Sequence, residues 1–197
     1  MQSTSRKIDY TCIIPWSGGV ESTALVCHAL DMGEAPFLFH LTLNGYWQNQ
    51  IDAVTKMSEE IGIPLHFIHQ KSTTPYADAA RTAKHYSYGY APMYINWANC
   101  AQMIHFQNPF IPKIWYGFNA STDVKTPAVL ELFDSIERVA TLQGNPVIME
   151  SPLGHLTKRE QYDMIWDELK PFITTCTDIE NPPCGKCSKC KELEIVK

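Results

Sequence analysis

The sequence predicts an α/β fold: a doubly wound, mainly parallel sheet followed by a small C-terminal module. Three observations carry this. Along residues 1–173, short apolar runs alternate with longer stretches of helical period, the pattern of buried parallel strands joined by crossover helices. The 197 residues are 45% hydrophobic and 19% charged, enough to bury one sizeable core. From Thr174 onward the alternation stops and Pro, Gly and Cys take over, so 174–197 is expected to be a separate unit.

The first strand is expected over Tyr10–Pro15 and leads into a helix over Glu21–Met32. Strands then follow at Pro36–Thr42, Leu65–His69, Lys113–Phe118 and Pro146–Met149, each flanked by Gly, Pro or Asn. The intervening helices are placed at Gln48–Ile61, Met93–Phe106, Pro127–Leu142 and Thr157–Leu169. The last opens on Thr-Lys-Arg-Glu, a capping box in which Thr157 caps the helix and Glu160 reaches back. Gln70 to Ala91 is polar and tyrosine-rich without a clear period, the kind of long loop that gates a site or stays disordered. There is no internal repeat and no low-complexity segment.

A formal net charge of −5 gives no electrostatic case for a direct nucleic-acid partner, since a duplex needs a basic face. The lysines near the C-terminus read as a solvated surface. No apolar run approaches the roughly 18 residues that span a bilayer, so no membrane is expected. The start Met-Gln-Ser-Thr-Ser-Arg-Lys lacks the apolar centre of a secretory signal, and a cytoplasmic protein is the expectation. Seven cysteines in that compartment argue for metal ligands or buried thiols over a disulfide framework.

Two stretches carry chemistry. Ile-Ile-Pro-Trp-Ser-Gly-Gly-Val-Glu-Ser-Thr, from Ile13 to Thr23, runs from the first strand into the first helix. Strand ends in such sheets face the ligand, and a helix N-terminus there offers backbone N–H groups and partial positive charge. Gly18 and Gly19 admit an anion closely, and Ser17, Ser22 and Thr23 add hydroxyls, so the turn suits a phosphate or pyrophosphate. It matches neither the Walker A loop nor the dinucleotide fingerprint. A tight turn with a serine cap is the plainer reading of an isolated Ser-Gly-Gly. The second stretch holds Cys176, Cys184, Cys187 and Cys190. Four thiolates at this spacing suit tetrahedral Zn²⁺ in a structural role, with a redox dithiol or an iron–sulfur cluster as the competing readings. Cys12, Cys27 and Cys100 fall in apolar patterns and read as core. His66, His69 and His85 lack ligand spacing and read as structural or surface residues.

The string Ser-Gly-Gly-Val-Glu-Ser after a first strand resembles the signature of the PP-loop ATP pyrophosphatases, which share a HUP-like fold. Within them the chain looks most like the 7-cyano-7-deazaguanine synthases of queuosine precursor biosynthesis, over nearly its whole length. The resemblance implies ATP as cosubstrate, Mg²⁺, and pyrophosphate held by Ser17, Gly18, Gly19, Val20, Glu21, Ser22 and Thr23. Glu21 stands where the family has Asp, one methylene shorter. Lys158, after Ser-Pro-Leu-Gly-His-Leu-Thr, is similar to the family lysine near the nucleotide phosphates, which makes Ser17 and Lys158 the expected catalytic residues. A solvent-facing lysine beside Arg159 is the alternative. The family also carries a four-cysteine zinc site of nearly this spacing.

Asn96 resembles a family asparagine, and Tyr46 and Gln48 echo a segment near the adenine. After the fourth strand the family's Asp-Cys-Arg, which recognises the deazaguanine acid, is replaced by Ala128, Val129 and Leu130. Three apolar side chains cannot supply those hydrogen bonds, and polar recognition discriminates sharply. Asp123 and Lys125 are the polar residues left there to meet a substrate. The resemblance thus implies an ATP-dependent carbon–nitrogen ligase that adenylates a 7-deazaguanine-like acid for ammonia, acting as a homodimer. The alternatives are conjugation of such an acid to another acceptor in a phage or antiphage pathway, with a protein partner, and a catalytically silent zinc-bearing subunit.

Overall fold

The computed structural model describes residues 8–43, 48–70, 90–118, 127–176 and 183–197. Five parallel strands form one sheet in the order β3-β2-β1-β4-β5, with β1 at Cys12–Pro15, β2 at Pro36–Leu43, β3 at Leu65–Gln70, β4 at Lys113–Trp115 and β5 at Ile148–Glu150. The helices are α1 (Val20–Asp31), α2 (Gln48–Ile61), α3 (Tyr90–Gln107), α4 (Pro127–Leu142), α5 (Lys158–Asp163) and α6 (Ser188–Val196).

Strand alternation sorts the core into two layers. Cys12, Ile14 and Leu38 pack with α1, α2 and the turns after α5, while Ile13, Phe39 and Ile114 pack with α3 and α4. Both faces of β1 are fully buried, which is why it reads as a continuous apolar run and not as an alternating one. The sheet is therefore doubly wound as expected, and the strand order reverses direction at β1, where such sheets place ligands.

Three expectations are corrected. Strand β4 ends at Trp115 and not Phe118, Tyr116 keeping one bond to the Glu150 carbonyl before the chain turns away at Gly117, and β5 is Ile148–Glu150 and not Pro146–Met149, its pairing with the β4 side starting where the Ile148 N–H meets the Pro112 carbonyl. The helix expected over Thr157–Leu169 stops at Asp163. Its closing N–H, from Met164, is shared among the carbonyls of Glu160, Gln161 and Tyr162, and tight turns then bury Ile165 and Leu169 before a short 3₁₀ turn at Lys170–Phe172. Helix α3 begins at Tyr90 instead of Met93, because Pro92 falls in the first turn, where its missing N–H has no intrahelical partner to lose. Most of the long segment expected at Gln70–Ala91 lies outside the described residues.

Candidate nucleotide site and metal centre

The turn after β1 is built from the backbone outward. Gly18 has φ of +81°, a left-handed conformation that side chains resist, and its carbonyl accepts from the Thr174 N–H at 3.0 Å. Gly19 then caps α1 without a side-chain hydrogen bond, so the N-terminus of the helix meets the turn with no capping side chain. The Ser17 hydroxyl lies 3.0 Å from that of Ser22, which also accepts from the Ser17 N–H at 3.2 Å. Thr23 is turned away: it is fully buried, and its hydroxyl accepts from the Trp16 indole N–H at 3.0 Å. Of the three expected hydroxyls, Ser17 and Ser22 come together, with Ser17 the more exposed, and Thr23 anchors the strand end beneath them.

Gly117 completes the seat of α1, and sequence reading missed it. A Cβ there would stand 2.7 Å from Glu21 C and Ser22 N, so only glycine lets the chain after β4 pass the first turn. Gln161 fixes the surrounding loops from beneath. Its buried amide donates to the carbonyls of Phe118 and Leu153, the latter at 2.7 Å.

Lys158 is not the solvent-facing lysine of the alternative reading. It is 4% exposed, with its ammonium 2.7 Å from Glu21 and 2.9 Å from Glu192 on α6. Burial works against its charge, but the two carboxylates outweigh it and hold its pKa above the ordinary lysine value. Glu192 is held below the ordinary carboxylate range despite its burial, by the same contact. Glu21, Lys158 and Gly19 thus share one small volume, the Glu21 carboxylate lying 3.6 Å from where a Gly19 Cβ would stand. A cleft of about 400 Å³ adjoins this volume from the far side of Thr174, between α2 and the cysteine tail, lined in part by Asn49, Asp52, Cys176 and Cys190. The open cleft and the turn with its lysine therefore do not coincide: none of Ser17, Gly19, Glu21 and Lys158 lines the cleft.

The four tail cysteines do meet: the sulfurs of Cys176, Cys184, Cys187 and Cys190 all lie within 4.8 Å of one another. Gly185 takes φ of +66° in the tight turn between Cys184 and Cys187. Backbone N–H groups of Cys184, Cys187 and Cys190 point at the sulfurs of Cys176, Cys184 and Cys187 at 3.3–3.4 Å, an arrangement that favours thiolates. Cys187 also caps α6, adding its helix N-terminus to the same field. The group can hold a metal. Burial pushes the thiols of Cys12 and Cys27 up to about 12 and about 11, raises Cys100 in the same way, and with the neighbouring sulfurs lifts Cys190 to about 12, so it is the meeting of four sulfurs that sets the tail group apart from the core thiols.

No protein-family model matches the sequence, nor does any curated protein. Solved structures do match. A 4-thiouridine synthetase in complex with RNA and bound ATP is similar at a TM-score of 0.57 and 19% identity, over 94% of this chain and 49% of that one. The fold is PP-loop-like. The U34-tRNA thiolase NcsA from Methanococcus maripaludis, solved with its 4Fe–4S cluster, is similar to this chain at a TM-score of 0.52 and 15% identity, over 96% of this chain and 66% of that one. The chain thus spans about half of the first protein and just under two thirds of the second.

Other expected positions are less informative. The side chain of Asn96 on α3, and Tyr46, His85, Asp123 and Lys125, lie outside the described residues. Ala128, Val129 and Leu130 fall in the first turn of α4. Gln48 opens α2 and donates to Asp52 at 2.8 Å. His66 stacks on Phe37, and His69 bonds the Thr42 hydroxyl at 2.7 Å. Among the described residues no helix is long and apolar enough to cross a membrane.

Proposed function

We propose that this chain binds ATP at the Ser17–Thr23 turn and transfers its AMP moiety to a substrate carboxylate, as an ATP-dependent carbon–nitrogen ligase of the 7-cyano-7-deazaguanine synthase kind. The observation that carries the reading is the buried Lys158 ammonium, 2.7 Å from Glu21 beside the first turn of α1 at the strand-order reversal. Positive charge and N–H groups converge there, which is what a departing pyrophosphate needs.

In the reaction, a carboxylate oxygen attacks the α-phosphorus. The bond to the bridging oxygen breaks, and pyrophosphate leaves with its electron pair. The loop N–H groups, the Ser17 hydroxyl and Lys158 offset the charge that accumulates on it. Glu21 offers the hard oxygen that Mg²⁺ prefers, and the bound ion would neutralise phosphate charge. Ammonia or another amine then attacks the acyl carbon, AMP departs, and the surplus proton passes to water. The apolar Ala128–Leu130 turn favours an acid related to 7-deazaguanine but recognised through other groups.

For the cysteine group the fit favours zinc. Four sulfurs about 2.3 Å from one ion stand roughly 3.8 Å apart, inside the 4.8 Å within which these sulfurs lie, whereas a cubane cluster spreads its thiolates wider around four irons. Such a closed four-thiolate site would hold the tail in place and leave the chemistry to the turn.

The test is pyrophosphate release from ATP over a panel of acids with ammonia, in wild type, Ser17→Ala and Lys158→Met. Release that depends on one acid and falls about 10²–10³-fold in Lys158→Met supports the reading. ATP binding without turnover on any acid would leave the silent binding subunit as the better account.

A further inference from the structure

The contact between Lys158 and Glu192 joins the phosphate turn to the cysteine group. Glu192 stands on α6, whose N-cap is Cys187 and whose first turn carries Cys190. Its carboxylate lies 2.9 Å from the Lys158 ammonium and 3.5 Å from that of Lys189, and Lys158 reaches Glu21 on its other side at 2.7 Å. The Lys158 side chain is only 5% exposed, so water cannot replace a carboxylate that moves away. A divalent cation arriving with ATP keeps waters and phosphate oxygens and commonly takes one or two protein carboxylates, and among the described residues Glu21 is the carboxylate beside the turn. Using it withdraws a partner from a buried ammonium, and a buried charge left unpaired is strongly unfavourable.

We infer that Glu192 is a positioning residue for nucleotide binding: it keeps Lys158 paired when Glu21 turns to the divalent cation, and it makes that exchange depend on the metal-loaded cysteine group that fixes α6. The inference rests on the reading that Mg²⁺ and ATP occupy the turn. It explains why a charged side chain on the module helix reaches past the surface to a buried lysine, whereas Glu194 on the same helix stays exposed. It also gives the cysteine module a part in nucleotide binding without placing the metal near the phosphates.

The experiment measures ATP affinity as a function of Mg²⁺ by titration calorimetry on the full chain, both as purified and after stripping its metal with a chelator. Wild type, Glu192→Gln and Glu194→Gln are compared, with circular dichroism and melting as checks on folding. In Glu192→Gln the Mg²⁺ needed for half-maximal tightening of ATP binding should rise about tenfold, within the usual range of coupling between sites. Stripping the wild type should do the same, and stripping Glu192→Gln should add little, because both changes act through one contact. Glu194→Gln should match wild type, and Mg²⁺-free ATP binding should change little throughout, which a merely structural loss would not spare. Glu192→Asp, which keeps the charge, should fall between wild type and Glu192→Gln. An unshifted Mg²⁺ dependence in Glu192→Gln, or the same further loss on stripping it, overturns the inference and leaves the ATP site standing. Failure of the metal-loaded wild type to bind ATP at all overturns the ATP reading and the inference with it.

Discussion

The phosphate turn and the cysteine tail are the two irregular, glycine-containing stretches with candidate chemistry, yet they are held in opposite ways. The turn is gripped from every side by the fold: the Thr174 N–H on the Gly18 carbonyl, Gly117 against the first turn of α1, and Thr23 beneath Trp16. Around the tail, Cys184, Cys187 and Cys190 are only half-buried, Pro183, Gly185 and Lys186 are exposed, and of the four tail cysteines Cys176 alone is buried. Packing alone can preorganise the first. Among the described residues, the second brings four sulfurs together with three of them only half-buried, an arrangement that a bound ion would hold.

The largest expected effect sharpens this contrast. In Cys187→Ser, metal content should fall from about one ion per chain to near zero, since binding by four thiolates is worth on the order of 10 kcal/mol in small modules and is coupled to ordering them. Hydrogen exchange should show the α6 amides losing protection while those of β1 and α1 keep it. Full protection of α6 in the metal-free variant would show that packing suffices for the tail after all.

Gly117→Ala tests the turn. The added methyl would meet backbone atoms of Glu21 and Ser22 that cannot rotate aside. A cost of about 3 kcal/mol is expected, a fall in Tm of roughly 6–12 °C for a chain this size, together with weaker ATP binding. A change in Tm of about 1 °C or less would mean that α1 is not seated as tightly as the contact distances indicate.

The smallest effect concerns the cap of α5, which lies between the two regions. Glu160 accepts from the Thr157 N–H at 2.7 Å, and this bond, with one from the Thr157 hydroxyl, holds its carboxyl below the ordinary range. A lowered folded pKa gives a contribution that is present above the ordinary carboxylate pKa of about 4.3 and lost as pH falls through the folded value. Glu160→Ala should therefore melt slightly below wild type near neutrality, and the gap should narrow under acid. A gap that widens on acidification would show that the cap does not act through the carboxylate.

The same contrast explains what could be read in advance. Strands β1, β2 and β3 and their helices follow from local apolar pattern, and the turn from a short motif, because packing writes itself into neighbouring residues. Helix α6 went unseen, since Ser-Lys-Cys-Lys-Glu-Leu-Glu-Ile-Val has little apolar stripe and is organised by its cysteine cap. The burial of Lys158 was equally hidden, because its partners come from opposite ends of the chain and no local spacing links Glu21 to Glu192. Nothing in the residues around Gly117 signals its role, because the backbone it passes belongs to the first turn of α1, far away in sequence. Four cysteines, by contrast, announced their meeting through ligand chemistry alone.

The bond from Thr174 to Gly18 also fixes an order of events during synthesis. The turn is translated well before its neighbour β4 and well before Thr174, the residue that clasps Gly18. Until they arrive, β1 has one open edge and the turn lacks both its glycine seat and its clasp. A nascent chain can therefore display the Ser-Gly-Gly motif before its seat and its clasp exist, so a ligand of the finished turn would find it formed only once Gly117 and Thr174 are in place.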